Sequence, residues 1–352
     1  MTSASDSPST SLRSVAPPIG RPVRTCHELD VGTFKAEILP SGQPIVIKGL
    51  VTSWPVVEAS LDSDERVVAY LKRLDIGRPA GVSICPPDQE GLFFFTPDMT
   101  GFNFTTDFRP IPMLLDWLLA HRAHPAAPTI YSQSLLLRDF MPDFGRMHPL
   151  DLVPSDARPR LWIGNQVRTP THFDPSHNLA CLVAGRRRFT LFPPDQICNL
   201  YPGPIDRNPG GVPVSMAQID EPDFDRYPLL AEALNHAQYA DLEPGDALYI
   251  PYSWWHHVQS QTPFNLLVNY WWSEAKGSRP PLISPLFLAI ATWRDLPDDE
   301  KVLWERLMDL YVFGDHEKMA SHLPPEGKGL SGPMTLEVAQ RLRAFMKTMV
   351  DH

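Results

Sequence analysis

The stretch Thr171-His172-Phe173-Asp174 is the one on which the interpretation of this chain depends. In an extended strand, side chains two residues apart point the same way, so His172 and Asp174 would face one side together. A neutral imidazole and a carboxylate supply a nitrogen and an oxygen ligand for a divalent metal. A further histidine is available in Trp254-Trp255-His256-His257-Val258, where His256 stands 82 residues after Asp174. Two histidines and one carboxylate leave open coordination positions on the metal, as in non-haem Fe(II) sites.

The sequence just before the second histidine motif supports this interpretation. Leu242-Glu243-Pro244-Gly245-Asp246-Ala247-Leu248-Tyr249-Ile250-Pro251 is typical of a Pro-Gly-Asp turn that leads into an apolar strand. A turn, a strand and a ligand at the start of the next strand would bring His256 to the first motif in a barrel. Without that context, His-x-Asp is a common chance pattern, and two histidines after two tryptophans could belong to a packed aromatic cluster.

The pattern of the rest of the chain indicates a β-rich centre between helical regions. Short segments rich in Val, Ile, Leu, Phe and Trp recur from about residue 130 with Pro and Gly turns between them, which is typical of a sandwich or barrel. Helical spacing is found at 62–74 and 113–119 before this region, near 229–236 within it, and at 286–293, 299–311 and 336–349 after it.

Composition places the chain among globular proteins. Hydrophobic residues make up 43% and charged residues 20%, and 39 prolines favour short elements with ordered turns. The net charge of -10 argues against non-specific binding to nucleic acid or to an anionic membrane. The apolar runs are too short to span a bilayer, and the polar N-terminus does not have the pattern of a secretory signal. Four scattered cysteines without a Cys-x-x-Cys spacing predict a reduced, cytoplasmic protein: Cys26, Cys85, Cys181 and Cys198.

Two motifs carry a family resemblance. The stretch 172–194 (His-Phe-Asp-Pro-Ser-His-Asn … Gly-Arg-Arg-Arg-Phe-Thr-Leu-Phe-Pro-Pro) and the stretch 244–258 (Pro-Gly-Asp-Ala-Leu-Tyr-Ile-Pro … Trp-Trp-His-His-Val) resemble the cupin-like branch of the JmjC oxygenases, in pattern most of all the asparaginyl hydroxylase of the hypoxia-inducible factor. The resemblance covers about residues 40–272 and is strong from Tyr131 onward. It implies a mainly β protein with α decorations, built on a double-stranded β-helix (jelly-roll or cupin) core. It also implies Fe(II) as the metal, 2-oxoglutarate as co-substrate and O₂ as oxidant.

With this resemblance, the chain divides into four predicted regions. Residues 1–22 are expected to form a flexible tail, and residues 23–125 an α/β region that packs on the barrel. The JmjC/cupin-like catalytic barrel is predicted at 126–275 and a helical region at 276–352. In the hydroxylase relative, C-terminal helices form a homodimer, and the resemblance implies the same here. Packing of these helices on their own barrel is the alternative.

The resemblance also assigns the ligands. The family places its distal ligand directly after an aromatic residue and two residues before an aliphatic one, which selects His256 between Trp255 and Val258. By strand alternation, His257 is then expected to point the opposite way. The implied metal ligands are therefore His172, Asp174 and His256.

The co-substrate pocket is implied by five further positions. The relatives have a lysine fifteen residues after the first histidine ligand, and here that position is Arg187, which can form a bidentate pair with a carboxylate. Its neighbours Arg186 and Arg188 should face the other way, although a solvated run of arginines is the alternative for all three. The remaining implied pocket residues are Tyr131 and Thr169 as hydroxyl donors and Asn178 and Asn269 as amides near the metal. The amides could instead belong to strand edges or turns.

Residues on the substrate side are predicted at Gln133, Phe173 and Trp271, and His177 is expected on the substrate side or the surface. The function implied is hydroxylation of a C–H bond, with succinate and CO₂ as co-products, on a protein or peptide side chain. The alternatives are the same chemistry on a small metabolite, a non-oxygenase metal-binding cupin, and an inactive relative. The retained Asp174 favours hydroxylation over halogenation, because iron halogenases replace that carboxylate with a small residue.

Overall fold

The computed structural model describes residues 17–274 and 284–350. The chain separates into two compact units, one up to Ser273 and one from Glu274 onward. Within the described residues, no helix combines the length and the apolar character needed to cross a membrane. Residues 1–16 of the predicted tail, residue 275 of the predicted barrel, and residues 276–283 and 351–352 of the predicted helical region lie outside this description.

Two facing β-sheets form the core of the first unit. The strands are β1 Arg21–Pro22, β2 Thr25–Cys26, β3 Ile45–Ile47, β4 Pro79–Cys85, β5 Thr105–Pro110, β6 Thr129–Leu136, β7 Pro159–Gly164, β8 Arg168–Phe173, β9 His177–Ala184, β10 Arg187–Phe192, β11 Gln238–Leu242, β12 Ala247–Ile250, β13 Trp255–Ser260 and β14 Asn265–Trp272. The smaller sheet has the order β1-β11-β10-β13-β8, and the larger has the order β2-β3-β12-β9-β14-β7-β6-β4-β5. All neighbours are antiparallel except β1 with β11 and β2 with β3.

An apolar layer fills the space between the two sheets. Side chains from β10 and β11 of the smaller sheet meet side chains from β9, β12 and β14 of the larger one, and the buried members include Ala180, Leu182, Phe189, Leu191, Leu242, Leu248, Ile250 and Leu267. Residues two apart along a strand face this layer together, as the period of two requires. Two facing sheets around one apolar layer form the predicted jelly-roll core.

Both units contain α-helices. The α-helices are α1 Val31–Thr33, α2 Leu39–Ser41, α3 Pro55–Asp62, α4 Asp64–Leu74, α5 Ile111–His121, α6 Leu137–Phe140, α7 Phe144–Met147, α8 Leu230–Asn235, α9 Ser284–Trp293, α10 Asp298–Met308, α11 His316–Met319 and α12 Leu336–Val350. A large apolar cluster joins α3, α4 and α5 to the outward-facing side chains of β9, β12 and β14. In α4, the Ser63 side chain accepts from the backbone N–H of Arg66 and thereby caps the helix.

Strands of the N-terminal region extend both sheets. In the predicted α/β region 23–125, β4 and β5 form an antiparallel pair that extends the larger sheet. The prediction of a flexible tail to residue 22 is wrong at its end, because Arg21 and Pro22 pair in parallel with Gln238 and Tyr239. β1 is a two-residue edge strand, and its partner β11 is distant in sequence, so no local pattern reveals the pairing.

Candidate active site

Neighbouring strands bring the predicted metal ligands together. His172 on β8 lies directly opposite His256 on β13, and the centroids of their imidazole rings are 4.3 Å apart. Asp174 follows the end of β8, and its Oδ2 is 3.6 Å from Nε2 of His256. One ligand atom from each of the three side chains lies within 4.8 Å of the others. This spacing fits a single metal ion held on one face.

Both histidines are oriented by hydrogen bonds at the nitrogen that would not bind the metal. Nδ1 of His172 lies 2.8 Å from the carbonyl oxygen of Pro170, and Nδ1 of His256 lies 3.1 Å from that of Trp254. A carbonyl oxygen only accepts, so each Nδ1 carries the proton and each Nε2 keeps its lone pair for a metal. Such supporting contacts are typical of metal-binding histidines.

The electrostatics of the triad favour a cation at its centre. Burial and the neighbouring His172 hold the pKa of His256 well below its ordinary value, so its imidazole is neutral as a ligand must be. Burial raises the pKa of Asp174, while His172 and the Trp271 indole N–H oppose that change. The Trp271 Nε1 nonetheless has no partner at hydrogen-bonding geometry. A divalent cation would offset the cost of a buried Asp174 carboxylate.

Strand alternation separates the triad from its neighbours in sequence. Phe173 and Trp255 lie on the opposite face, where their ring centroids are 5.0 Å apart and Phe173 packs against an apolar cluster outside the barrel. The placement of Phe173 on the substrate side therefore has to be corrected, because adjacent strand residues point in opposite directions. His257 also points away from the triad, and its Nε2 lies 3.3 Å from Oδ2 of Asp220.

A buried guanidinium forms the second part of the site. Arg187, on β10, is 2% exposed, and its Nε and Nη2 atoms have no hydrogen-bond partner in the described part of the chain. Burial raises the pKa of Tyr131, whereas the charge of Arg187 and hydrogen bonds with Thr169 and Arg187 lower it. Tyr131, Thr169 and Arg187 thus come together in one pocket from three different strands.

The unpaired Nε and Nη2 donors of Arg187 indicate which co-substrate the pocket fits. A buried cation without an anion costs several kcal/mol, on the order of the desolvation penalty of an ion. The Nε and Nη2 donors lie on one edge of the guanidinium, and that edge matches the two oxygens of a carboxylate. Hydroxyls from Tyr131 and Thr169 would complete the carboxylate's hydrogen bonds. These residues therefore fit the distal carboxylate of 2-oxoglutarate.

The neighbouring arginines face outward. Arg186 pairs with Glu243 at 3.2 Å, and both side chains are exposed. Arg188 binds Asp241 through two contacts, Nε to Oδ1 at 2.7 Å and Nη2 to Oδ2 at 2.9 Å. Of the three consecutive arginines, only Arg187 faces the barrel interior.

The predicted amides lie side by side in the interior. Asn269 donates from Nδ2 to Oδ1 of Asn178 at 3.0 Å, and it accepts from Nε1 of Trp162 at 2.7 Å. The amides are therefore interior residues rather than strand-edge residues. Trp162 was missed in the sequence because a tryptophan in a strand ordinarily indicates core packing. The lone amide at Asn269 was the available signal that a buried donor had to lie nearby.

The other predicted positions spread around the barrel. Trp271 lies beside Trp162, with ring centroids 5.7 Å apart. Gln133 is half-buried and lies where the register of β6 against β7 shifts. His177 is stacked on Trp272 and contacts the Tyr249 hydroxyl through Nδ1 at 2.9 Å, so it belongs to the outer face of the larger sheet.

Comparison with known families identifies the fold. The family described as "Cupin-like domain" matches residues 31–278, which is well over half of the 352 residues. The chain belongs to the cupin-like domain family. The match to this cupin-like domain covers strands β3 to β14 and every predicted site residue.

Several characterised proteins are similar to this cupin-like domain, and all are of the JmjC type. Jumonji C domain-containing protein 5 of Drosophila melanogaster is 26% identical over 244 residues, which is 68% of this chain and 57% of that protein. Lysine-specific demethylase JMJ31 of Arabidopsis thaliana is 36% identical over 121 residues, 34% of this chain and 22% of that protein. tRNA wybutosine-synthesizing protein 5 of Gallus gallus is 31% identical over 173 residues, 45% of this chain and 49% of that protein. The matched segments thus span less than two thirds of each relative.

Proposed function

We propose that this protein is an Fe(II)- and 2-oxoglutarate-dependent dioxygenase that hydroxylates a C–H bond, with succinate and CO₂ as co-products. The observation that carries the proposal is the pair of unpaired donors on the buried Arg187, in the same barrel as the His172, Asp174 and His256 cluster. A metal-binding cupin without a 2-oxo acid co-substrate would have no use for a buried cation of this kind. JmjC-type proteins are generally 2-oxoglutarate-dependent oxygenases, which agrees with the proposal.

Each group of residues has a distinct role in this proposal. His172, Asp174 and His256 hold the iron. Hydrogen bonds from Nδ1 of each histidine to a backbone carbonyl oxygen orient its Nε2 toward the metal. Arg187, Tyr131 and Thr169 bind the distal carboxylate and so orient the co-substrate toward the metal. When bound, the iron and 2-oxoglutarate supply the O₂-dependent oxidation of the substrate C–H bond. The apolar layer below the site excludes water from that oxidation.

A protein or peptide side chain is the proposed substrate class. Among the relatives, the name of the Arabidopsis protein refers to lysine and that of the chicken protein to tRNA. The net charge of -10 disfavours a nucleic-acid substrate, since binding to phosphate backbones needs clustered cations. A small metabolite is the second candidate. Incubation of the loaded enzyme with size-separated cell extract distinguishes them, according to which fraction gains the mass of one oxygen atom.

Anaerobic titration of the metal-free protein with Fe(II) and then 2-oxoglutarate tests the proposal. The visible charge-transfer band of the chelate is expected in the wild type and absent in Asp174→Ala. Arg187→Ala is expected to need far more 2-oxoglutarate to reach the same band. Arg186→Ala is the matched control, because its exposed side chain pairs with Glu243, and it should titrate like the wild type. Bound iron without any band would remove 2-oxoglutarate and favour a plain metal-binding cupin.

A further inference from the structure

Arg160 lies at the end of the barrel that holds the metal ligands. Its strand β7 pairs with β14, and Arg160 is opposite Asn269 in the register. Trp162, two residues further along β7, contacts Asn269 inside the barrel, so Arg160 shares the interior face. The Arg160 guanidinium carbon lies 5.3 Å from the ring centroid of Trp271, whose indole N–H influences Asp174. Arg160 therefore contacts the same tryptophan, Trp271, that influences the proposed metal ligand Asp174.

Among the described residues, the guanidinium of Arg160 forms hydrogen bonds through one nitrogen, Nη1. Nη1 donates to the carbonyl oxygen of Ser134 at 3.2 Å and to its hydroxyl at 3.0 Å. Nε and Nη2 donate to no residue in the described part of the chain, and they are not enclosed as the corresponding atoms of Arg187 are. The Ser134 contacts and the Trp271 ring fix the plane of the guanidinium and leave its Nε/Nη2 edge available.

That edge is the one this protein uses elsewhere to bind a carboxylate. Arg188 holds Asp241 through Nε and Nη2 in a two-contact pair. Arg160 has no carboxylate within 4 Å among the described residues, and Asp139, which influences it, lies 3.5 Å from Arg138 instead. A half-buried guanidinium with a fixed plane and a free edge is suited to an anion that comes from outside the chain.

We propose that Arg160 binds an oxyanion of the primary substrate, a carboxylate or a phosphate, and so places the substrate beside the metal. This inference rests on the proposed function for the role of the metal, but not for the binding of the anion. Arg187 and Arg160 then have separate partners: the enclosed Arg187 takes the co-substrate and the accessible Arg160 takes the substrate. The ligand class is a substrate with an acidic group near the C–H bond that reacts.

Calorimetric titrations with small probes test this assignment. The probes are N-acetylaspartate N-methylamide, its neutral counterpart N-acetylasparagine N-methylamide, and inorganic phosphate. Each is titrated anaerobically into protein loaded with Fe(II) and 2-oxoglutarate, and again into metal-free protein. The variants are Arg160→Gln and Arg160→Lys. Arg158→Gln is the control for the loss of one positive charge, because Arg158 is exposed and lies just before the same strand, β7.

The expected result is saturable binding of an anionic probe that Arg160→Gln weakens by at least about tenfold, as the loss of a charged hydrogen-bonded pair predicts. Arg160→Lys should retain part of the affinity, and Arg158→Gln should match the wild type. Preference for the aspartate derivative identifies a carboxylate and preference for phosphate identifies a phosphoryl group. Thermal unfolding of each variant shows that the fold is intact.

Three results would overturn the inference. One is no saturable binding of either anion, and another is equal binding of the aspartate and asparagine derivatives together with phosphate binding that does not depend on Arg160. The third is a loss of affinity for 2-oxoglutarate in Arg160→Gln as large as that in Arg187→Ala. This result would assign Arg160 to the co-substrate. Absence of the charge-transfer band in the wild type would contradict the proposed function. Arg160-dependent binding of an anion to the metal-free protein would still support the anion site in that case.

Discussion

His256 and His257 are adjacent residues with opposite surroundings. His256 faces the interior beside His172, and His257 faces outward beside Asp220. We predict that His256→Ala weakens Fe(II) binding by more than the roughly 10–100-fold typical of losing a supporting contact. His257→Ala should leave the affinity for Fe(II) close to that of the wild type. Equilibrium dialysis with Fe(II) under anaerobic conditions measures both, and equal losses in the two variants would contradict the assignment.

Asn269 connects two other interior side chains. Replacing it by leucine removes the acceptor of the Trp162 indole and the donor to Asn178. Each buried group left without a partner costs about 1–3 kcal/mol, so Asn269→Leu should lower the free energy of unfolding by roughly 2 kcal/mol or more. Asn235→Leu is the control, because Asn235 is exposed and its contact with Glu232 is 3.4 Å long. Urea denaturation compares them, and equal stabilities would argue against the network.

At the scale of elements, the turn between β9 and β10 sets the direction of Arg187. Gly185 has a φ of +81°, and a Cβ there would lie 2.3 Å from the carbonyl oxygen of Phe264. The turn allows β10 to begin at Arg187 in register with Ser260 of β13. A shift of one residue in the register of β10 would turn the Arg187 side chain outward. One of its two arginine neighbours would then face the barrel interior in its place.

This geometry predicts a stability difference between two glycines. Gly42 also has a positive φ, +60°, but a Cβ there has no neighbour within 4 Å. Gly42→Ala should therefore cost only the conformational term of about 1–2 kcal/mol, whereas Gly185→Ala should cost more, because the added methyl also collides with backbone. Thermal and urea unfolding measure the difference. A Gly185→Ala protein as stable as Gly42→Ala would show that the turn can relax.

A second turn holds β12 beside the site strands. The Asp246 carboxylate accepts from the backbone N–H groups of Glu243 and Gly49 at 3.0 and 3.1 Å, and from Nζ of Lys48 at 2.5 Å. The Pro-Gly-Asp motif is therefore not only a local turn. It joins the β11–β12 connection to the end of β3, which is about two hundred residues earlier in the chain.

At the scale of the molecule, the C-terminal unit exposes many large apolar side chains. Leu303 is 58% exposed, Phe313 is 74% exposed and Leu336 is 73% exposed. Surfaces of this kind are commonly covered by a partner. The homodimer through the C-terminal helices therefore stays a prediction, and a second copy of the chain is its proposed partner.

Light scattering tests this prediction. The wild type should have twice the mass of the 39.6 kDa chain, and the double variant Leu303→Asp/Phe313→Asp should have the monomer mass. Phe108→Asp is the matched control, because Phe108 is 70% exposed but lies on β5 in the other unit, and it should remain dimeric. A wild type at the monomer mass would refute the dimer.

The sequence by itself determined the residue types and the faces on which they lie. The motifs and the family resemblance they carry indicated His172, Asp174, His256 and Arg187. The alternation of strand residues then predicted that His257 and the neighbours of Arg187 face the other way. The same alternation, applied to Phe173, would have placed it away from the site. Local rules of this kind succeed because the period of a strand depends only on its own backbone.

Only the tertiary structure decided which side chains meet across strands and which donors stay free. Tyr131, Thr169 and Arg187 lie on three strands, and their approach depends on the pairing of sheets, which long-range contacts set. The free edges of Arg187 and Arg160 and the contact of Trp162 with Asn269 likewise follow from packing. A sequence specifies each donor and acceptor, but whether a group is satisfied depends on neighbours that only the folded chain brings close.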